Sequence, residues 1–165
     1  MKPGAAIKLL PVSPILTGLV YAAAIWLAHA PAVYQMALQE PWVHGALIVT
    51  LLGASLHFWS AALRPLRGRD REGLLASFTL CFSAMVQTGM LGAVMLFARH
   101  VWYPLLIPRS AALGVAALGD QQLAGAIMWM PMGIIYLGVL LMLAGQWLQA
   151  DPAPRGRGLS AIPEA

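Results

Sequence analysis

Residues 120–148 read DQQLAGAIMWMPMGIIYLGVLLMLAGQWL, and this stretch decides the fold. An acid and two amides open it, and no charged residue follows before it ends. An uncharged run of about 20 residues is long enough to cross a hydrocarbon core roughly 30 Å thick. Because a lipid-exposed backbone must satisfy its own hydrogen bonds, the stretch predicts a membrane-spanning α-helix with polar groups at one boundary.

The rest of the chain has the same character. Of its 165 residues, 60% are hydrophobic and 10% are charged, which excludes an ordinary soluble domain. We therefore predict an all-α integral membrane protein, a bundle of four transmembrane helices forming a single membrane domain at 1–148. The four apolar runs lie at about 12–30, 42–63, 74–98 and 122–148. Residues 149–165 are polar and rich in Pro and Gly, and they predict a flexible cytoplasmic tail.

The connection between the third and fourth helices is also apolar, but Pro104, Pro108 and Arg109 interrupt it. A lipid-facing helix tolerates that combination poorly. We expect a long outer loop here, either re-entrant or lying on the membrane surface.

Charge predicts the orientation. With four crossings, Arg99 and Arg109 share one side, and eight basic residues share the other: Lys2, Lys8, Arg64, Arg67, Arg69, Arg71, Arg155 and Arg157. Basic residues favour the cytoplasmic side, so both termini should be cytoplasmic and the loops 31–41 and 99–121 should face outward. The net charge of +4 is then explained by contact with the lipid bilayer, and no nucleic-acid partner is expected.

The N-terminus also imitates a secretory signal, because two lysines precede an apolar core and Ala28-His29-Ala30. The apolar stretch is longer than a usual signal core and contains Pro11 and Pro14. A retained first helix is the favoured interpretation.

Three histidines fall at the predicted outer boundary, and two methionines lie four residues apart on the fourth helix. Imidazole and thioether together suit copper, particularly Cu(I). The alternative is that the methionines fill gaps between helices and the histidine rings remain solvated at the membrane interface. The predicted metal ligands are His29, His44, His100, Asp120, Met128 and Met132.

The DQQ block also has structural interpretations. Asp120 stands just before the expected fourth helix, where it would cap free N–H groups, or it would pair with Arg99 or Arg109 to pin the loop. Gln121 and Gln122 would line a polar pocket or stay solvated. Small residues such as Gly92 predict close helix packing, and the boundary aromatics Tyr34, Trp42, Trp102 and Tyr103 predict an interfacial belt.

The stretch DQQLAGAIMWMP at 120–131 resembles the DQQLxGxIMWxP signature of the CtaG family, membrane proteins that are implicated in assembling caa-type cytochrome c oxidase. Other blocks agree in the same order: His29-Ala30-Pro31-Ala32-Val33-Tyr34, Ala37-Leu38, His44, Phe58-Trp59, Gly92, Phe97 and Tyr103-Pro104. The resemblance covers about residues 15–148. The family usually has about seven helices, of which this chain resembles the last four.

The resemblance implies a non-enzymatic oxidase assembly factor or associated subunit in the bacterial cytoplasmic (inner) membrane, with oxidase subunits or another membrane chain as partners. Copper at the outer face is the expected cofactor or cargo. A haem-binding redox protein with paired histidines and a purely structural scaffold of a respiratory complex are the alternatives. No nucleophile-base set or phosphate loop indicates an enzyme, and no mid-span charge indicates a transporter.

Overall fold

A computed structural model describes residues 13–67 and 70–150, and every regular element in them is helical. The α-helices are α1 Pro14–His29, α2 Pro31–Gln39, α3 Pro41–Ala62, α4 Arg71–Leu96, α5 Ile107–Ala112 and α6 Ala117–Gln149. Short 3₁₀ turns lie at Arg64–Arg67 and Pro104–Leu106. The predicted all-α class is confirmed for this part of the chain. The predicted tail lies almost wholly outside the described residues.

Proline and side-chain caps fix the helix starts. Pro14, Pro31 and Pro41 each open a helix, where the missing N–H needs no partner and the fixed φ is already helical. The hydroxyl of Ser13 accepts a hydrogen bond from a backbone N–H in the first turn of α1, at 3.2 Å. Asp70 does the same for α4 at 3.0 Å. The positions at which these helices begin are therefore determined by local sequence signals.

Three helices, α3, α4 and α6, are long and apolar enough to cross a membrane. The pair α1 and α2 is bent by 64° and adds a fourth crossing if it forms one broken span. The connection predicted at 31–41 is not irregular, because the helix α2 occupies most of it. The four-span topology and the cytoplasmic placement of the termini stay predictions.

The connection between α4 and α6 is shorter and more ordered than a plain loop. It contains the Pro104–Leu106 turn and α5, and α6 begins at Ala117 rather than near residue 122. The extra N-terminal turn places Asp120 inside the helix, which changes the roles open to its carboxylate.

The most extensive helix pairing is between α4 and α6, while α1 packs between α3 and α4. The backbones of α4 and α6 touch where Gly92 meets Gly125. A Cβ added at Gly125 would lie 2.6 Å from the Gly92 carbonyl oxygen and 2.7 Å from the backbone nitrogen of Leu96. Close packing at Gly92 is confirmed, and glycine is required here by space rather than by backbone conformation.

Aromatic rings fill the centre of the bundle. Phe58 is fully buried, with its ring centroid 4.3 Å from that of Tyr21, and the rings of Trp59 and Tyr136 stack at 5.5 Å. The hydroxyls of Tyr21 and Tyr136 share a hydrogen bond of 3.0 Å, so the polar tips are satisfied away from water. This core joins α1, α3 and α6.

Candidate functional site

The amides at the start of α6 bind backbone rather than water. Gln121 is buried, and its side-chain oxygen accepts a hydrogen bond of 2.7 Å from the backbone N–H of Trp102. Its amide nitrogen donates to the His100 carbonyl at 3.3 Å, and the Gln122 amide donates to the Ala98 carbonyl at 3.0 Å. Neither glutamine is simply solvated. Both tie the segment after α4 onto α6.

The carboxylate of Asp120 does not cap α6. The cap position is Ala116, whose side chain makes no capping bond, and the first turn of the helix already includes Asp120. The hydroxyl of Ser110 donates to Asp120 at 3.1 Å, and Ser110 is buried on α5. The hydrogen-bond partner is therefore a serine and not one of the predicted arginines, Arg99 and Arg109, which are both exposed.

Tyr103 connects this end of α6 to α1. Its hydroxyl donates to the backbone carbonyl of His29 at 2.8 Å, and its ring packs against that of Tyr34 with centroids 4.5 Å apart. Burial, with the nearby Tyr34 phenol adding to it, raises the pKa of Tyr103 to about 12. The phenol is therefore a neutral hydrogen-bond donor at physiological pH.

The His29 ring is held in one tautomer. Its Nδ1 lies 2.8 Å from the Ile25 carbonyl oxygen. A carbonyl only accepts, so Nδ1 carries the proton in this bond and the Nε2 lone pair of the neutral ring stays free. Histidines that bind metals usually donate their second ring N–H to a carbonyl or carboxylate in this way. The ring therefore has the orientation and the tautomer that a metal ligand binding through Nε2 requires.

Two cavities meet at His29. The first, about 240 Å³, is also lined by Tyr34, Met95, Tyr103, Asp120 and Gln121. We call His29 and these five residues the polar layer. The second cavity, about 490 Å³, is lined by His29 and His100 with Trp26 and Trp102 among its apolar neighbours. His29 thus faces both a mixed polar cavity and a more aromatic one.

The six predicted ligands do not share one cavity. His29 and Asp120 line the first, and His29 and His100 line the second. His44 is exposed and lines neither, and Met132 packs against the hydrophobic core. Met128 is half-buried and lines neither cavity either. Within residues 13–67 and 70–150, no group of three or more His, Cys, Asp or Glu side chains is placed to hold a metal ion. Metal binding at these residues stays a prediction.

The predicted set of six ligands omits Met95, which is buried and lines the first cavity with its thioether-bearing side chain. Tyr34 and Tyr103 line the same cavity and were expected in an aromatic belt. The sequence does place Met95 near the predicted outer end of its helix, one residue before α4 ends at Leu96. Its position opposite His29 depends on how α1 meets α4, which no local pattern gives.

A comparison with known families decides the identity of the chain. The family described as cytochrome c oxidase caa3 assembly factor (Caa3_CtaG) matches residues 7–150. The chain belongs to this family. The Caa3_CtaG match includes all six helices and therefore the whole polar layer. No curated protein and no solved structure matches the chain.

Proposed function

We propose that this Caa3_CtaG chain supports cytochrome c oxidase assembly in the bacterial cytoplasmic membrane by handling copper as a cargo at the polar layer. The role is non-enzymatic, and its partners are oxidase subunits or another membrane chain. One observation carries the proposal: the His29 ring is fixed through Nδ1, which leaves Nε2 free at the junction of two cavities.

The donors around His29 suit copper. The first cavity joins an imidazole, the Met95 thioether and the Asp120 carboxylate, and the first two are ligands that Cu(I) favours. The described residues form no closed set of three or more His, Cys, Asp or Glu ligands. An open donor set with few ligands suits a metal that is received and passed on, since a partner must reach the ion to remove it.

A scaffold role is the second candidate, and a separate observation favours it. All three side chains of the DQQ block are engaged in hydrogen bonds to the segment that follows α4 or to α5. The Gly92–Gly125 contact likewise has a packing role. In this version the same residues shape a surface for an oxidase subunit without contacting copper.

The test is a deletion strain complemented with variants, assayed for active haem-copper oxidase and for oxidase transcripts. Deletion should lower active enzyme and leave transcripts intact. If copper is handled, His29→Ala should reproduce much of the loss, and added copper should partly restore activity, because raising free metal offsets a weakened site by mass action. His44→Ala is the matched control, since His44 lies outside both cavities.

The two candidates then separate. A scaffold predicts a mild His29→Ala phenotype and a severe Gly125→Leu phenotype that copper does not rescue, because the defect is in helix packing. A Soret band in the purified protein would instead favour the haem-binding alternative. Normal oxidase activity in the deletion strain, with no paralogue present, would contradict both candidates.

A further inference from the structure

At the end of the bundle away from the polar layer, Arg71 opens α4 and stacks on α6. Its guanidinium carbon lies 4.1 Å from the centre of the Trp147 ring. Such a contact holds the cation flat and leaves the N–H donors at its edge free to bind an anion. The Arg71 Nε is buried and makes no hydrogen bond, and the same is true of the neighbouring Gln146 side-chain oxygen. Among residues 13–67 and 70–150, the arginine is therefore positioned by an aromatic ring and is paired with no carboxylate.

Two acids flank Arg71 in the sequence, Asp70 and the exposed Glu72, and the first is engaged in capping the helix. Asp70 accepts the backbone N–H of Gly73 at 3.0 Å as the cap of α4. A second cation, Arg64, is exposed on the adjoining 3₁₀ turn. That turn packs against the first turn of α4, since a Cβ added at Gly73 would lie 3.2 Å from Pro65. Residues 64–72 carry four arginines against Asp70 and Glu72, so this segment has a formal excess of two positive charges.

An apolar stripe continues from Arg71 along the same face of α4. Leu75, Phe78 and Phe82 follow it by four, seven and eleven residues, which is the spacing of one helix face. Leu75 is 54% exposed and Phe82 is 47% exposed. The rings of Phe78 and Phe82 lie parallel with centroids 6.5 Å apart. Phe78, which lies between Leu75 and Phe82, is half-buried and packs against the hydrophobic core. A cation at the membrane boundary thus stands above a partly exposed apolar strip that runs towards the middle of the span.

We propose that this face binds one membrane phospholipid with a negatively charged headgroup. The Arg71 guanidinium holds the phosphate, Trp147 orients the guanidinium, and an acyl chain lies along Leu75 and Phe82. Charge complementarity selects the headgroup, because a zwitterionic lipid carries an ammonium group that reduces its attraction to Arg71 and Arg64. The apolar stripe favours a lipid over a soluble phosphate ion, because only the lipid has an acyl chain that can pack against Leu75 and Phe82.

The test uses the full chain in nanodiscs of phosphatidylcholine alone or mixed equally with phosphatidylglycerol, with retained lipid counted by native mass spectrometry after release. Wild type should retain phosphatidylglycerol about fivefold over phosphatidylcholine, the factor expected from one interfacial arginine. Arg71→Gln should abolish the preference, while Arg109→Gln, which removes a cation elsewhere, should keep it. Trp147→Leu tests the same site without changing charge and should weaken the preference.

Three results would overturn the proposal. The first is the absence of a phosphatidylglycerol preference in wild type, the second is an equal reduction of the preference by Arg71→Gln and Arg109→Gln, and the third is displacement of the lipid by inorganic phosphate at millimolar concentration. The second result would mean diffuse charge attraction, and the third would mean a soluble-phosphate site. If Arg71→Gln does not fold, Arg71→Lys and Trp147→Leu decide, and an unchanged preference in both contradicts the proposed site.

Discussion

A single methyl group at Gly125 should separate α4 from α6. Its Cβ would lie 2.6 Å from the Gly92 carbonyl oxygen, 2.7 Å from the Leu96 backbone nitrogen and 2.9 Å from the Met95 Cβ. The two closest of these atoms are backbone, so no side-chain rotation relieves the clash. An ordinary contact near 3.4 Å requires the helices to move apart by about 0.8 Å at this point.

The cost follows from overpacking. Forcing extra carbon into a tight contact costs about 1–3 kcal/mol, and the rigid backbone partners place Gly125→Ala near the upper end. The higher helix propensity of alanine offsets this cost by about 1 kcal/mol in the free energy of unfolding. We therefore expect a net loss of about 2 kcal/mol in the free energy of unfolding. Met95 and the DQQ block lie beside the contact, so the polar layer should loosen as well.

Gly133→Ala is the matched control. It lies on the same helix, and a Cβ added there meets nothing within 4 Å, so only the propensity gain applies. The assay is reversible unfolding in mixed micelles by denaturing-detergent titration, followed by circular dichroism. Gly125→Ala should be about 3 kcal/mol less stable than Gly133→Ala. Equal stability of the two variants would refute the close-contact reasoning.

Three further predictions concern the polar layer. Gln121→Leu should lower the free energy of unfolding by about 1–3 kcal/mol, because the part-buried Trp102 N–H loses its acceptor. The same change at the exposed Gln39 should alter the free energy little, and amide hydrogen exchange at Trp102 should accelerate only in the Gln121 variant. Tyr103 should add stability that is full below about pH 10 and lost as the pH rises through about 12, the value to which burial raises its pKa; Tyr103→Phe should remove this alkaline loss in unfolding measurements, and an identical pH profile would contradict it. Asp120→Asn should keep the hydrogen bond from Ser110 and so preserve stability, yet weaken copper binding; loss of both would assign Asp120 a structural role.

The membrane helices were predictable because their signal is local. Uninterrupted apolar runs and the prolines at Pro14 and Pro41 mark where spans begin, and the structure places α1 and α3 within a few residues of the expected positions. The helix α2 was missed although Pro31 has the same N-terminal signal, because a nine-residue segment between two spans was taken for a connection.

The roles within the site were harder to predict. The DQQ block was predicted to matter, but its two glutamines bind backbone atoms of Ala98, His100 and Trp102, which any residue type would provide. The start of α6 at Ala117 lacks a side-chain cap, so sequence gave no reason to place Asp120 inside the helix. The pairing of His29 with Met95 depends on tertiary packing between α1 and α4 and has no local signal.

The most direct measurement of the central claim is Cu(I) binding to the purified protein in detergent, by competition against a chromophoric chelator under reducing conditions. The account predicts one Cu(I) per chain for wild type and for His44→Ala, and an affinity at least about tenfold lower for His29→Ala, since one lost ligand is worth upwards of about 1.4 kcal/mol. Binding that depends on His44 but not on His29, or no binding above the buffer level, would contradict copper handling at the polar layer.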